Sequence, residues 1–359
     1  MTRRTSLPRR TLVASTALIA AAGLMSGCAA TSTASEPTTA PAEELHLGYF
    51  ANVTHAPALV GLEKGFFEDA LGDTTLTTEL FNAGPATIEA ISAGAIDAAY
   101  IGPSPSINTY IKSGGESAVI VAGATTGGAA LVVRDGIDSP ADLAGATLAT
   151  PQLGNTQDVA LRAWLAEEGY ETTTEGGGDV IITPTENADT LALFQKGELD
   201  GAWLPEPWVS RLVLEGGAHV LVDEADLWED GLFPTTVLLV NKTFLAEHPE
   251  TVKALIEGHI EAIDWLTENP DDAAAVINAR LTADTGKSLA DDVIARALEN
   301  VAFSADPAAD TFPVLVERAA AAGTGTDGDI DGLFDFRLLN EVLRAAGADE
   351  VSADGLGKE

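Results

Sequence analysis

From Leu45 to about Asn241, short β-like runs alternate with stretches that are apolar at helical spacing. Leu45-His46-Leu47-Gly48-Tyr49-Phe50 is a strand pattern bounded by a polar loop. The loop leads into a predicted helix that stops at Gly65. A second helix, 86–93, is opened by Pro85 and stopped by Gly94. Further strands are predicted at 96–101, 118–123 and 130–134, and a helix at 157–168. This alternation predicts an α/β fold with mostly parallel strands. After Asn241 the period becomes helical throughout, in "HPETVKALIEGHIEAIDWL", "NPDDAAAVINARL", "SLADDVIARALENVAF" and "FDFRLLNEVLRAAG". Pro and Asp stand where helix starts want them. These helices are expected to pack on the first half of the molecule, once the chain has returned to it.

The pattern repeats itself. ATIEAISAGAIDAAYIGP (86–103) matches ADTLALFQKGELDGAWLPEP (188–207). Gly94, Asp97, Ala99, Tyr100 and Ile101 fall on Gly197, Asp200, Ala202, Trp203 and Leu204, each 103 residues apart. LHLGYFANVTHAPALVGLEKGFF (45–67) aligns with LATPQLGNTQDVALRAWLAEEGY (148–170) at nearly the same offset. Two similar lobes facing each other would form a clamshell, with the loops at the carboxyl ends of the strands lining its cleft. The chain is expected to cross between lobes near 130–134 and 235–241. This gives lobe 1 as 45–133 plus 236–350, lobe 2 as 134–235, and a disordered tail at 351–359.

The N-terminus is a different kind of sequence. Residues 1–10 carry Arg3, Arg4, Arg9 and Arg10 and no acid, and the stretch after them is apolar or small. It ends at Leu24-Met25-Ser26-Gly27-Cys28, which contains the only cysteine of the chain. A charged start, a short apolar core and a small-residue cleavage site make a signal peptide, 1–27. The cysteine after it resembles a bacterial lipobox, in which Cys28 would be lipidated. Arg9-Arg10 also looks like a twin-arginine signal. Residues 28–44 are mostly Ala, Thr, Ser, Pro and Glu and read as a flexible tether. The expected location is therefore outside the cell membrane, on its outer face, held by the N-terminal lipid alone. Removing the four arginines takes the formal charge from -36 to -40. Such a body repels nucleic acid, and one cysteine cannot build a thiolate metal site.

The lipobox together with "GYFANVTHAPALVGLEKGFFED", "SAGAIDAAYIGPSPSINTY", "ATPQLGNTQDVALRAWL" and "GELDGAWLPEPWVSRLV" resembles the substrate-binding proteins of ABC importers. The group resembled is the nitrate, aliphatic sulfonate and taurine type, which also includes thiamine-precursor binders. The resemblance covers about residues 45–345. It implies a type II periplasmic-binding-protein clamshell with two strand crossovers, a small anionic solute as ligand, and the transmembrane subunits of a permease as partner. It implies no cofactor and no catalysis.

Four loops then carry the candidate contacts. Gly154, Asn155 and Thr156 open the 157–168 helix, where unpaired N–H groups and the dipole favour an anion; an ordinary N-cap is the plainer alternative. Asn52 and His55 hold the matching place in the first lobe, His55 either as a hydrogen-bond donor or as a cap. Pro103 and Ser104 follow the 96–101 strand. Glu206 answers them in the repeat and would either meet a ligand amine or steady a neighbouring loop. Thr125, Thr126 and Gly127 stand before the first crossover. No lysine or arginine lies in these loops. That suits a strong-acid anion such as an aliphatic sulfonate or taurine, with nitrate, bicarbonate or a thiamine-type pyrimidine as alternatives. An enzyme using His55 with Glu206 is the alternative of another class. Trp203 reads as core and Trp208 as undecided. The Asp327-Asp329-Asp331-Gly332 run lacks a calcium loop's twelfth-position Glu, having Leu338 there, and reads as an acidic turn.

Overall fold

The structure is a computed structural model and describes residues 40–359. The signal peptide, Cys28 and most of the tether lie outside the described residues. The tether was expected to run to residue 44, but its end is pinned: the Ala42 N–H donates to Thr251 Oγ1 and the Thr74 hydroxyl to the Ala42 carbonyl.

Strand β1 (Glu44–Phe50) is followed by α1 (Ala56–Lys64), α2 (Phe66–Leu71), β2 (Thr75–Phe81), α3 (Gly84–Ser92), β3 (Ala98–Ile101), α4 (Pro103–Lys112) and β4 (Ala118–Gly127). The chain then enters a second sheet: β5 (Ala129–Val133), β6 (Thr147–Thr150), α5 (Thr156–Glu167), β7 (Ile181–Pro184), α6 (Asn187–Lys196), β8 (Gly201–Pro205), α7 (Trp208–Gly216) and β9 (His219–Asp223). It returns through β10 (Pro234–Asn241). After that come α8 (Lys242–Glu247), α9 (Pro249–Glu268), α10 (Pro270–Thr285), α11 (Asp291–Glu299), β11 (Val301–Phe303), α12 (Phe312–Ala321), β12 (Phe334–Asp335), α13 (Arg337–Ala346) and β13 (Gly357–Lys358).

The two sheets share one plan. The first has the order β2-β1-β3-β10-β4-β12-β13, with β11 also on β4; the second has β7-β6-β8-β5-β9. Each begins with three parallel strands and then takes an antiparallel strand delivered across a crossover, β10 in one and β5 in the other. The sheets are therefore mixed rather than mostly parallel, because each crossover strand arrives from the opposite side. The matched aspartates do matching work. Asp97 accepts the His46 N–H at 2.9 Å, and Asp200 accepts the Thr147 N–H at 2.8 Å, each pinning the start of its central strand.

Several boundaries differ from expectation. Residues 129–133 belong wholly to the second sheet, so the first crossing falls at Gly127–Gly128. The second falls between β9 and β10, since all of Pro234–Asn241 lies in the first sheet. The tail at 351–359 is not loose. Val351 and Ala353 are buried, and β13 pairs with β12, closing that edge of the sheet.

Burial follows strand period. In β6, Leu148 packs on one face of the second sheet with Leu131, Leu161, Trp164 and Trp203; Ala149 packs on the other with Leu191, Leu204 and Leu212. Trp203 is core, its Nε1 donating to the buried Glu224 at 2.8 Å. The first sheet shares one large core with α1, α9 and α13. The C-terminal helices cover it as expected, but α11 also packs on α7, and α12 on α5.

Candidate functional site

Both sheets point the carboxyl ends of their central strands at the same space. From β1 the chain turns at Asn52, makes a single 3-10 turn over Val53–His55, and enters α1 with Pro57 in its first turn. From β6 it turns through Pro151 to Asn155 and enters α5. Between these two entries lies a cavity of about 20 Å³. Asn52, His55, Asn155 and Thr156 border it, and so do Asn82 after β2 and Asn187 at the start of α6. No lining residue is charged.

His55 is buried, stacked on Phe50 with ring centroids 4.4 Å apart. Its Nδ1 accepts the Phe50 N–H at 3.3 Å, which leaves the ring proton on Nε2 as a donor. Burial lowers its pKa to about 3, so the ring is neutral. Asn52 accepts the Trp208 indole N–H at 2.8 Å through Oδ1, which leaves its Nδ2 hydrogens for a ligand. Asn187 Oδ1 is buried without a partner.

The second lobe fixes its entry with polar groups. Asn155 Oδ1 caps α5 by accepting the Asp158 N–H at 3.1 Å, and its Nδ2 donates to Gln157 Oε1. Its side chain is thus committed to the cap. Asp158 accepts from Thr150 Oγ1 at 2.8 Å, Gly154 N–H at 2.9 Å and Arg162 Nε at 3.0 Å, all buried. The cap takes the Asp158 N–H, which leaves the Thr156 and Gln157 N–H groups of the first turn without an acceptor among the described residues and able to meet a ligand.

Across the cleft, Thr156 Oγ1 lies 3.4 Å from the Ser104 N–H of the first lobe. It presses so closely on Gly102 that a Cβ there would collide with it. The lobes are therefore closed on each other. Pro103 and Ser104 form the first turn of α4 beside this contact, with Ser104 Oγ buried and unpartnered.

Other expected residues lie elsewhere. Thr125, Thr126 and Gly127 are the end of β4, paired with β10 and β11, and none borders the cavity. Gly154 does not border the cavity; it lines a separate groove with Leu153, Thr174 and Thr324. Glu206 is almost wholly buried; its carboxylate accepts from the Ser210 N–H and Oγ, Asn300 Nδ2 and Arg296 Nη1 at 2.9–3.1 Å. It steadies the β8–α7 loop against α11. No hydrogen bond joins it to His55 among the described residues, so the two do not form an acid–base pair. Asn82 and Asn187 were not anticipated. The signal was available: "FNAGPAT" and "TENADT" each place Asn-Ala just after the second strand of a repeat.

Two lobes of identical plan, joined by two crossovers and closed over an uncharged polar cavity, define the fold of the periplasmic binding proteins. Residues 38–281 match the profile of the NMT1-like family, and the chain belongs to that family. It is 29% identical over 215 residues to the taurine-binding periplasmic protein of Escherichia coli, covering 60% of this chain and 64% of that one. The alkanesulfonate-binding protein SsuA from Xanthomonas axonopodis pv. citri, solved bound to MOPS, superposes with a TM-score of 0.68 at 21% identity, over 80% of this chain and 96% of that one. The periplasmic nitrate-binding protein NrtA from Synechocystis PCC 6803 superposes at 0.69 and 18% identity, over 84% and 89%. These relatives are binding proteins and not enzymes, and the chain is a solute-binding protein.

Proposed function

We propose that this protein captures a small anionic solute, an aliphatic sulfonate or taurine, between its lobes and delivers it to the transmembrane subunits of an ABC importer. Export and lipidation at Cys28 would hold it on the outer face of the membrane. The observation that carries the reading is the uncharged cavity at the junction of two helix entries. A neutral His55, asparagine amides and first-turn N–H groups offer hydrogen-bond donors without a formal counter-charge. That matches an anion that stays ionised at every physiological pH and needs no proton to be recognised. The formal charge of -36 opposes any anion at long range, so the local dipoles must supply the selectivity.

The test is thermal unfolding of the full chain with sulfonates, taurine, nitrate, bicarbonate and a pyrimidine. The true ligand, at a hundredfold excess over its Kd, should add about 2.7 kcal/mol of stability. Thr156→Ala and His55→Ala should weaken that gain while the protein still folds. If both variants keep the full gain, the site lies elsewhere.

A further inference from the structure

Trp208 opens α7 in the second lobe, and Asn52 follows β1 in the first. One hydrogen bond joins them across the cleft, from the indole N–H to Asn52 Oδ1 at 2.8 Å. An indole N–H can only donate, so it fixes which end of the amide faces it. The end left over is Nδ2, a donor, on a residue that borders the inner cavity.

The indole is itself held in place. Arg211 lies over its ring at 4.7 Å and pairs with Glu215 at 3.0 Å. The turn before it is tied to other parts of the chain. The Thr54 N–H donates to the Glu206 carbonyl at 3.4 Å, and Arg296 and Asn300 donate to the Glu206 carboxylate at 3.1 and 2.9 Å. Ile294 and Ala297 seat α11 in the first core, so these bonds also span the lobes.

An amide is ambivalent. Turned over, Asn52 would show the cavity an oxygen, and Asn187 Oδ1 already lies there buried without a partner. Two acceptors would repel an anion. Resting on the anion reading above, we infer that Trp208 is a positioning residue: when the lobes close, its N–H reaches across and turns the Asn52 amide donor-inward. Closure and the choice of ligand charge are then one event. By linkage, a head group that needs the donor favours the closed state, and one that needs an acceptor must break the bond to Trp208.

Calorimetric titration of the full, unacylated chain with methanesulfonate, taurine and nitrate tests this. Trp208→Phe keeps a ring and removes the N–H, and should weaken whichever of the three binds about fivefold. In an Asn52→Ala background the same substitution should cost less than about twofold, because its partner is gone. A residue that merely props the fold would cost the same in both. In the unsubstituted chain, NMR should show the Trp208 indole N–H exchanging about tenfold more slowly once that anion is bound. Equal losses in both backgrounds, no loss in either, or unchanged exchange overturns the inference and leaves the anion reading standing. If none of the three binds the unsubstituted chain, the anion reading falls and the inference with it.

Discussion

Helices α1 and α5 occupy the same place in their two lobes, yet they are held by opposite means. Helix α1 is apolar through most of its length, and Ala58, Leu59 and Val60 are buried among α9, α10 and the first sheet. Its entry residue His55 is neutral and stacked. Helix α5 carries a buried ion pair, Asp158 with Arg162, and an asparagine cap. The difference follows from what covers each lobe. The C-terminal helices blanket the first, so its entry helix is fixed by apolar packing. The second lobe has a smaller core on each sheet face and fixes the geometry of its entry loop with directional bonds. One topology can thus place the same cavity wall by two unrelated sets of forces.

The sharpest way to break the contrast is Asp158→Asn. It leaves the Arg162 charge buried without its partner and weakens the bonds to Thr150 and Gly154. The expected loss is about 3–5 kcal/mol, read by urea unfolding, with ligand binding abolished. An equivalent change in α1 has no ion pair to remove. If Asp158→Asn costs less than about 1 kcal/mol, the second lobe is not polar-anchored and the comparison fails.

Acid should separate the lobes next. In the first, burial holds His55 at about 3 and His259 at about 4. His259 Nε2 donates to the Gly123 carbonyl at 2.7 Å and its Nδ1 accepts from the Tyr100 hydroxyl at 2.8 Å, so the folded ring is neutral. Unfolded imidazoles titrate near 6.5, so below that the unfolded chain binds more protons and stability falls with pH. In the second lobe, burial pushes Glu224 up to about 7. Its folded form takes a proton before the unfolded form does, so its contribution grows as pH falls from about 7. Between pH 7 and 5 each of the three groups contributes on the order of 2 kcal/mol, the two histidines destabilising as pH falls and Glu224 stabilising. Hydrogen exchange should therefore quicken around Tyr100 and Gly123 and slow around Trp203. The same direction in both places would refute the contrast.

The smallest effect should come from the junction. Gly102→Ala would drive a methyl group into Thr156 Oγ1 and hold the lobes apart. We expect about 1–3 kcal/mol of lost ligand affinity with little change in the stability of the unliganded protein. Thr156→Ala added to it should recover part of that loss, a coupling measurable in a double-mutant cycle. Purely additive losses would show that the contact plays no part in closure.

Much of this was legible in the residues. The repeat is real because Asp97 and Asp200 each tie a strand start, a local bond that leaves a sequence trace. The equivalent donor positions, His46 and Thr147, are 101 rather than 103 residues apart, so the alignment of 45–67 with 148–170 was two residues out of register. β2 was missed because it is mostly exposed and Thr-rich, without the alternation that marks a half-buried strand. Thr125 to Gly127 looked like a loop because their partner, β11, is supplied some 175 residues later. No local pattern reports such a pairing. Asn82 reaches the cavity of Asn52 and His55 because β2 pairs in register with β1, and Asn187 because the second lobe closes on the first; neither approach is visible in a local pattern. Glu206 was weighed as a ligand contact or a brace; the groups that make it a brace, Arg296 and Asn300, again come from the far end of the chain.

The shortest bridge between the sheets is Gly127–Gly128, both with left-handed backbone, φ 73° and 74°. A methyl group on Gly127 would stand 2.8 Å from the Asn300 carbonyl oxygen, and one on Gly128 would strike Val301. The elbow is therefore tight from two directions, inwardly by its own dihedral angles and outwardly by the segment lying across it. Its length and its bareness are the same requirement, and any larger residue there would have to pry β11 off the sheet before the halves could meet.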